Sequence, residues 1–405
     1  MDQVGKAADD CGHGIYHVYA MSTLDTSKQH AARFEPVIAV TMGDPMGIGP
    51  EVVAKALCDP AILRLAKFVV YGQNQPLVDA ADRAGMQPFW FRIAKENIPA
   101  TRGVAAEPVV IDYGHEDSLP QTHAPSRVGG LLSKAFVEDA IADALRPIGD
   151  ARRVDAVVTA PISKESWSVA GFKWPGHTEL FAARCKATRH TMLFESPRLR
   201  VALATAHVPL MDIRNMLTIG RVFDPIDLGY NYCRQLGIEK PKIAVCGLNP
   251  HAGENGLFGD EEERVIAPAI EIARRNGIDV RGPFPGDTIF IDAAAGKWDL
   301  VVAMYHDQGL IPVKLLGFAR AVNTTIGLSI VRTSPDHGTA FNISGKNTAS
   351  PNSMKAAIEL AVKLAHAKFA QAAHAKDNPK DHAMKDQAAK DAALDALGFE
   401  DTEAE

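Results

Sequence analysis

Short apolar runs alternate with longer stretches of helical spacing along most of this chain. Runs rich in Val, Ile, Leu and Ala occupy residues 37–42, 68–71, 109–111, 154–159, 191–194, 201–205, 243–246, 300–304 and 328–331. Short apolar, β-branched runs of this kind read as strands. Between them apolar residues recur three and four apart, as in 52–57, 135–145 and 261–275, which predicts helices. Strands alternating with helices predict βαβ units, an α/β architecture and a mostly parallel sheet.

The pattern fades at both ends. Residues 1–35 carry charges and histidines without a continuous apolar stretch, which predicts a flexible N-terminal extension and no secretory signal. Residues 366–405 consist of short Ala, Lys, Asp and His repeats and predict a polar C-terminal tail, with at most a short helix at 388–397. Within it, His366, His374 and His382 are spaced as solvated residues, not as a metal tract.

Composition narrows the function classes. With 405 residues, 46% hydrophobic and 23% charged, the chain can bury a large core and is expected to form two domains. A net charge of −6 argues against nucleic-acid binding, which needs a basic face. No run approaches the roughly 18 apolar residues of a membrane span. The five cysteines are scattered and form no CxxC pair, the pattern of a reduced, cytoplasmic protein.

Three of the predicted strands end in loops with a histidine: His207 after 201–205, His251 after 243–246 and His306 after 300–304. Chemistry in α/β enzymes sits at the carboxyl ends of strands. Three imidazoles that leave one coordination position open describe a catalytic divalent-metal site. The chain has 14 histidines, so each alone is more simply an ordinary surface or core residue. The spacing is too long for a local motif, and only the fold could unite the three.

Other stretches carry two readings each. Residues 41–51 (TMGDPMGIGPE) form either a tight strand-to-helix turn or a glycine loop whose N–H groups approach a ligand; they match neither GxGxxG nor a P-loop. His177 and Thr178 could hydrogen-bond an oxyanion or carboxylate, while Thr178 could equally cap a helix. Lys314 and Arg332, with Asn323 between them, suit a phosphate, although solvated surface cations are the ordinary reading. Asp287 is an Asx-turn residue or, near a metal, a general base.

Taken together, residues 41–51, 175–179, 248–254, 304–309 and 332–339 resemble the 4-hydroxythreonine-4-phosphate dehydrogenase family of pyridoxal phosphate biosynthesis, over about residues 36–365. The resemblance implies a two-domain fold like isocitrate and isopropylmalate dehydrogenases, with an interdomain cleft. Residues 36–163 with 325–365 would form the first domain and 164–324 the second. It implies His207, His251 and His306 as ligands of a divalent metal, zinc first, with magnesium or cobalt as alternatives. Substrate contacts carry over onto His177, Thr178, Lys314, Asn323 and Arg332, and the catalytic candidates are Asp287 and His177. The cofactor, NAD or NADP, rests on the resemblance alone, as does a homodimer with its active site near the subunit interface.

The implied reaction is oxidation with decarboxylation of 4-phosphooxy-L-threonine to 3-amino-2-oxopropyl phosphate. One alternative is a sister dehydrogenase acting on D-erythronate or D-threonate 4-phosphate. A more distant one is a non-catalytic metal- and phosphate-binding protein. Met46, Thr325 and Ser329 depart from the family's usual pattern and bear on substrate fine-tuning.

Overall fold

The computed structural model describes residues 34–97, 107–114 and 122–377. Most of the expected N-terminal extension, the end of the C-terminal tail and the short helix at 388–397 lie outside the described residues. The described residues form twelve strands: β1 (Val37–Thr41), β2 (Lys67–Gly72), β3 (Phe91–Ala94), β4 (Val109–Asp112), β5 (Ala156–Thr159), β6 (Thr191–Ser196), β7 (Leu199–Leu203), β8 (Ile243–Cys246), β9 (Val280–Phe284), β10 (Leu300–Ala303), β11 (Val322–Ile326) and β12 (Val331–Pro335). They form one sheet in the order β3-β4-β2-β1-β5-β12-β11-β6-β7-β10-β8-β9.

Two parallel blocks make up this sheet. The first holds β1–β5 with β12, and the second holds β7–β10. Antiparallel pairs join them: β12 with β11, β11 with β6, and β6 with β7. Both faces of the second block are covered. Val201, Leu203, Val301, Ala303, Ala244 and Cys246 pack on one side with Leu310 and Val313 of the helix His306–Gly317. Ala202, Val302, Ile243 and Val245 alternate to the other side, where Val222 and Ile226 of the helix Ile219–Gln235 cover them. Two-sided cover is why these strands read as unbroken apolar runs.

Three strands escaped the hydrophobic pattern. β3 is largely exposed, β9 contains Gly282 and Pro283, and β11 (VNTTI) is mostly polar. The strand expected at 328–331 is displaced to Val331–Pro335, because Gly327, at φ +90°, turns the chain ahead of it. The helix expected at 261–275 begins with a wider π-type turn, Glu262–Ile266, before the regular helix Ala267–Arg275. The last helix, Asn352–Asp377, runs past residue 366, where a polar tail was expected. Alanine and lysine are strong helix formers, and Ala357, Ile358, Ala361 and Leu364 anchor the helix in the core.

The glycine-rich stretch after β1 resolves to a turn. A Cβ on Gly49 would lie 2.0 Å from the Met42 carbonyl oxygen, and one on Gly47 2.9 Å from that of Thr339. Asp44 N–H donates to Pro161 O at 3.0 Å and Ile48 N–H to Thr339 O at 2.9 Å. The glycines let neighbouring backbones approach one another.

Candidate active site

Where the two blocks meet, a cavity of about 480 Å³ opens beside the ends of β5, β11 and β12. His177, Thr178, His207, His306, Lys314, Asn323 and Arg332 all line it. His251 and Asp287 do not.

Arg332 is the most buried of these residues, at 3% exposure. It sits on β12 with Nη2 donating to Thr159 Oγ1 at 2.9 Å and Nη1 to Thr325 Oγ1 at 3.1 Å. Phe181 packs against the guanidinium, 5.7 Å from ring centroid to Cζ. Burial pushes its pKa down to about 10, opposed by Glu179, so it stays a cation at neutral pH. Its Nε has no hydrogen-bond partner. A buried guanidinium that spends two nitrogens on hydroxyls and leaves one free is a donor awaiting an anion.

The same condition recurs around the cavity. His177 Nε2, Asn323 Oδ1, Asp336 Oδ2 and His337 Nε2 are also buried without hydrogen-bond partners, and all four residues line the cavity. His177 opens the helix His177–Cys185 and packs edge-on against Trp167 and Phe181. Burial, then the positive charge of Arg332, hold its pKa well below the ordinary histidine range, so the ring is neutral. Lys314 Nζ lies 3.8 Å from Asp336 Oδ2. Burial raises the Asp336 pKa, against the pull of Lys314 and His306. Orphaned buried groups cost stability unless a ligand satisfies them, and this many around one cavity mark a built polar site.

Lys164, Glu179, Asp336 and His337 belong to this lining and were not among the residues singled out from sequence. The signal was present for three of them, since Glu179 lies within the 175–179 stretch and Asp336 and His337 within 332–339. What sequence could not give was the turn after β12 that brings Asp336 and His337 back over the cavity.

The three strand-end histidines follow β7, β10 and β8, which are adjacent and parallel, so they leave the sheet on the same edge. The His207 and His306 rings face one another with centroids 5.8 Å apart. His251 is outside the cavity lining, its ring edge-on to Phe258 at 6.0 Å. Among the described residues no three His, Cys, Asp or Glu side chains are grouped tightly enough to hold a metal ion.

The chemistry of the donor set nevertheless fits a cation. His251 Nδ1 lies 2.8 Å from Glu254 Oε2, and His306 Nδ1 lies 2.7 Å from Asp307 Oδ1. A carboxylate on Nδ1 fixes the tautomer that leaves Nε2 as the free electron pair, the usual arrangement of metal-bound histidine. The His207 pKa is lowered, first by burial and then by Lys164, which favours the ligating neutral form. His207 and His251 both have left-handed backbones, at φ 44° and 54°. Such strain in residues with side chains gathers at functional sites. Cys246, at the end of β8, is fully buried, and burial pushes its pKa up to about 12, which keeps the thiol protonated.

A buried guanidinium with a free nitrogen, convergent polar groups and a facing pair of histidines at strand ends define the site of an α/β enzyme acting on a small polar substrate. Residues 64–361 match the family described as pyridoxal phosphate biosynthetic protein PdxA, and the chain belongs to that family. It is 41% identical over 341 residues to a 4-hydroxythreonine-4-phosphate dehydrogenase of Geobacter metallireducens, covering 82% of this chain and 97% of that protein. It is 43% identical over 330 residues to a D-threonate 4-phosphate dehydrogenase of Salmonella typhimurium, covering 81% and 98%. The crystal structure of 4-hydroxythreonine-4-phosphate dehydrogenase from Klebsiella pneumoniae superposes with a TM-score of 0.72 at 40% identity, over 82% of this chain and 98% of that one.

Proposed function

We propose that the chain oxidises 4-phosphooxy-L-threonine to 3-amino-2-oxopropyl phosphate, with loss of carbon dioxide. The observation that carries this is the Arg332 cradle, with a free buried Nε, in a cavity whose other orphaned groups are polar and convergent. Arg332 and Asn323 hold the phosphate, and Lys314 adds positive charge across the cavity. His177 and Thr178 orient the reacting end, and His177, neutral with a free Nε2, can accept the hydroxyl proton. Asp287 is the second candidate base. It is exposed in the loop after β9, the strand next to the one that carries His251, and its support is that strand-end position.

His207, His251 and His306 would hold a divalent cation, zinc before magnesium or cobalt, whose Lewis acidity lowers the pKa of the reacting hydroxyl. NAD or NADP is the hydride acceptor. The two sheet blocks support a division into residues 36–163 with 325–365, and 164–324. Ile311 and Leu315 on the helix His306–Gly317 and Phe318 just beyond it form an apolar stripe, exposed by 65%, 83% and 58%, and Phe318 lines the cavity. A stripe of this kind supports a homodimer with the site near the interface. No helix among the described residues is long and apolar enough to cross a membrane, and Cys58, Cys185, Cys233 and Cys246 are free thiols, which supports a cytoplasmic location.

The test is reduced-nicotinamide formation with a panel of four-carbon phosphorylated acids and metal added back. Turnover of the amino substrate above the hydroxy acids is the expected result. The Salmonella typhimurium relative favours a second reading, D-threonate or D-erythronate 4-phosphate, and the reverse preference would establish it. No turnover of any of them would overturn both.

A further inference from the structure

We infer that Glu262, with Glu261 beside it, is the positioning residue that holds the His251 loop in the form that offers its imidazole to the cation. The inference rests on the reading of His251 as a ligand. Beyond β8 the chain enters a loop with almost no regular structure of its own. His251, Ala252, Glu254 and Asn255 all have left-handed backbones, at φ 54°, 52°, 44° and 55°. Residues with side chains keep that conformation only where their surroundings impose it.

The imposing group is a carboxylate. Glu262 Oε1 accepts from Leu248 N–H and from Asn249 N–H, both at 2.7 Å. Glu262 Oε2 accepts from Asn249 Nδ2 at 2.9 Å, and Glu261 Oε2 accepts from the same nitrogen at 2.7 Å. Both glutamates are buried, at 6% and 3% exposure. Arg214 Nε neutralises Glu261 from 2.6 Å, whereas among the described residues no cation pairs with Glu262, which depends on the loop's N–H groups.

The fit is close on both sides of His251. A Cβ on Gly247 would lie 3.0 Å from Glu262 Oε1, and one on Gly253 2.7 Å from Oε2. The loop therefore wraps the carboxylate, with His251 on the arc between the two glycines. Glu262 itself begins the π-type turn Glu262–Ile266, an irregularity common at functional sites. Charge-assisted hydrogen bonds to the two N–H groups just ahead of His251 fix where the ligand leaves the sheet.

The experiment is calorimetric titration of zinc into the metal-free full chain, for wild type, Glu262→Ala, Glu262→Gln, His251→Ala and the Glu262→Ala/His251→Ala double variant. Glu262→Ala is expected to weaken zinc binding about 10- to 100-fold, the usual cost of losing an outer partner of a ligand. Glu262→Gln, which keeps one acceptor oxygen, should recover part of that loss. In the His251→Ala background Glu262→Ala should have no further effect, because its action runs through that ligand. Unchanged affinity in Glu262→Ala, or an equal loss in both backgrounds, overturns the inference. Wild-type affinity in His251→Ala overturns the ligand assignment instead. Should Glu262→Ala not fold, Asn249→Ala leaves both carboxylates in place and reads the same coupling, with a smaller loss expected and the same two outcomes decisive.

Discussion

Arg332 Nη1 donates to Thr325 Oγ1 across 3.1 Å, tying the cavity's buried cation on β12 to a residue of β11. The Thr325 hydroxyl holds one guanidinium nitrogen and leaves Nε without a partner. Charge-assisted hydrogen bonds are worth about 1.5–3 kcal/mol. Arg332→Ala is therefore expected to lower kcat/KM by about one to two powers of ten. It should also reduce the preference for phosphorylated over unphosphorylated substrate, since the lost contact is to the phosphate. Steady-state kinetics with both substrates on both proteins give the ratio, and an unchanged ratio removes Arg332 from the site.

Each of His207→Ala, His251→Ala and His306→Ala should lower bound zinc and activity together while leaving the circular dichroism spectrum unaltered. His207 and His306, with facing rings, are expected to behave alike. Full metal content in all three purified variants contradicts the ligand assignment.

Stability should fall on the acid side. Burial lowers the pKa of both His177 and His337 in the folded chain, while the unfolded value stays near about 6.5. Below that pH the unfolded state binds more protons, so this contribution is present above about 6.5 and is lost as pH falls through and below it. Urea midpoints followed from about pH 8 to about pH 5 should decline over the lower half of that range. His177→Gln should make the decline shallower. An identical profile in the variant would show that His177 does not titrate on unfolding.

Two glycines make an internally controlled pair. Gly49→Ala puts a methyl 2.0 Å from the Met42 carbonyl oxygen, whereas nothing lies within 4 Å of a methyl at Gly220. The first substitution is expected to destabilise by about 1–3 kcal/mol. The second, inside the helix Ile219–Gln235, should stabilise by about 0.4–1 kcal/mol. Chemical denaturation measures both, and a neutral Gly49→Ala would mean that the turn after β1 can relax.

The central sheet was legible because burial on two faces writes an unbroken apolar run, as at Val37–Thr41 and Leu300–Ala303. β11 was not, because its polar residues serve the cavity and the junction: Asn323 lines the cavity and Thr325 accepts from Arg332. Its sequence answers to the site more than to the core. Site residues such as His207, His306 and His177 were legible because each stands where a strand ends or a helix begins. Asp336, His337, Lys164 and Glu179 needed the folded turns. His251 lies in a run of left-handed backbone outside the cavity lining, which no periodicity encodes.

Arg332 pairs in register with Val157 of β5, and Asn323 with Ser334 of β12. The two cavity-lining side chains are thus set two residues apart along β12, Arg332 on that strand and Asn323 opposite Ser334 across the pair with β11, and that spacing acts as a ruler. Sliding β12 by one residue would turn Arg332 to the opposite face of the sheet. Length changes during divergence should therefore accumulate in the exposed turn at Gly327 and Ser329, where they leave the rungs untouched, and be purged from Val331–Pro335. Relatives could then vary what they recognise at the open end of the cavity while keeping the grip on phosphate at a constant gauge.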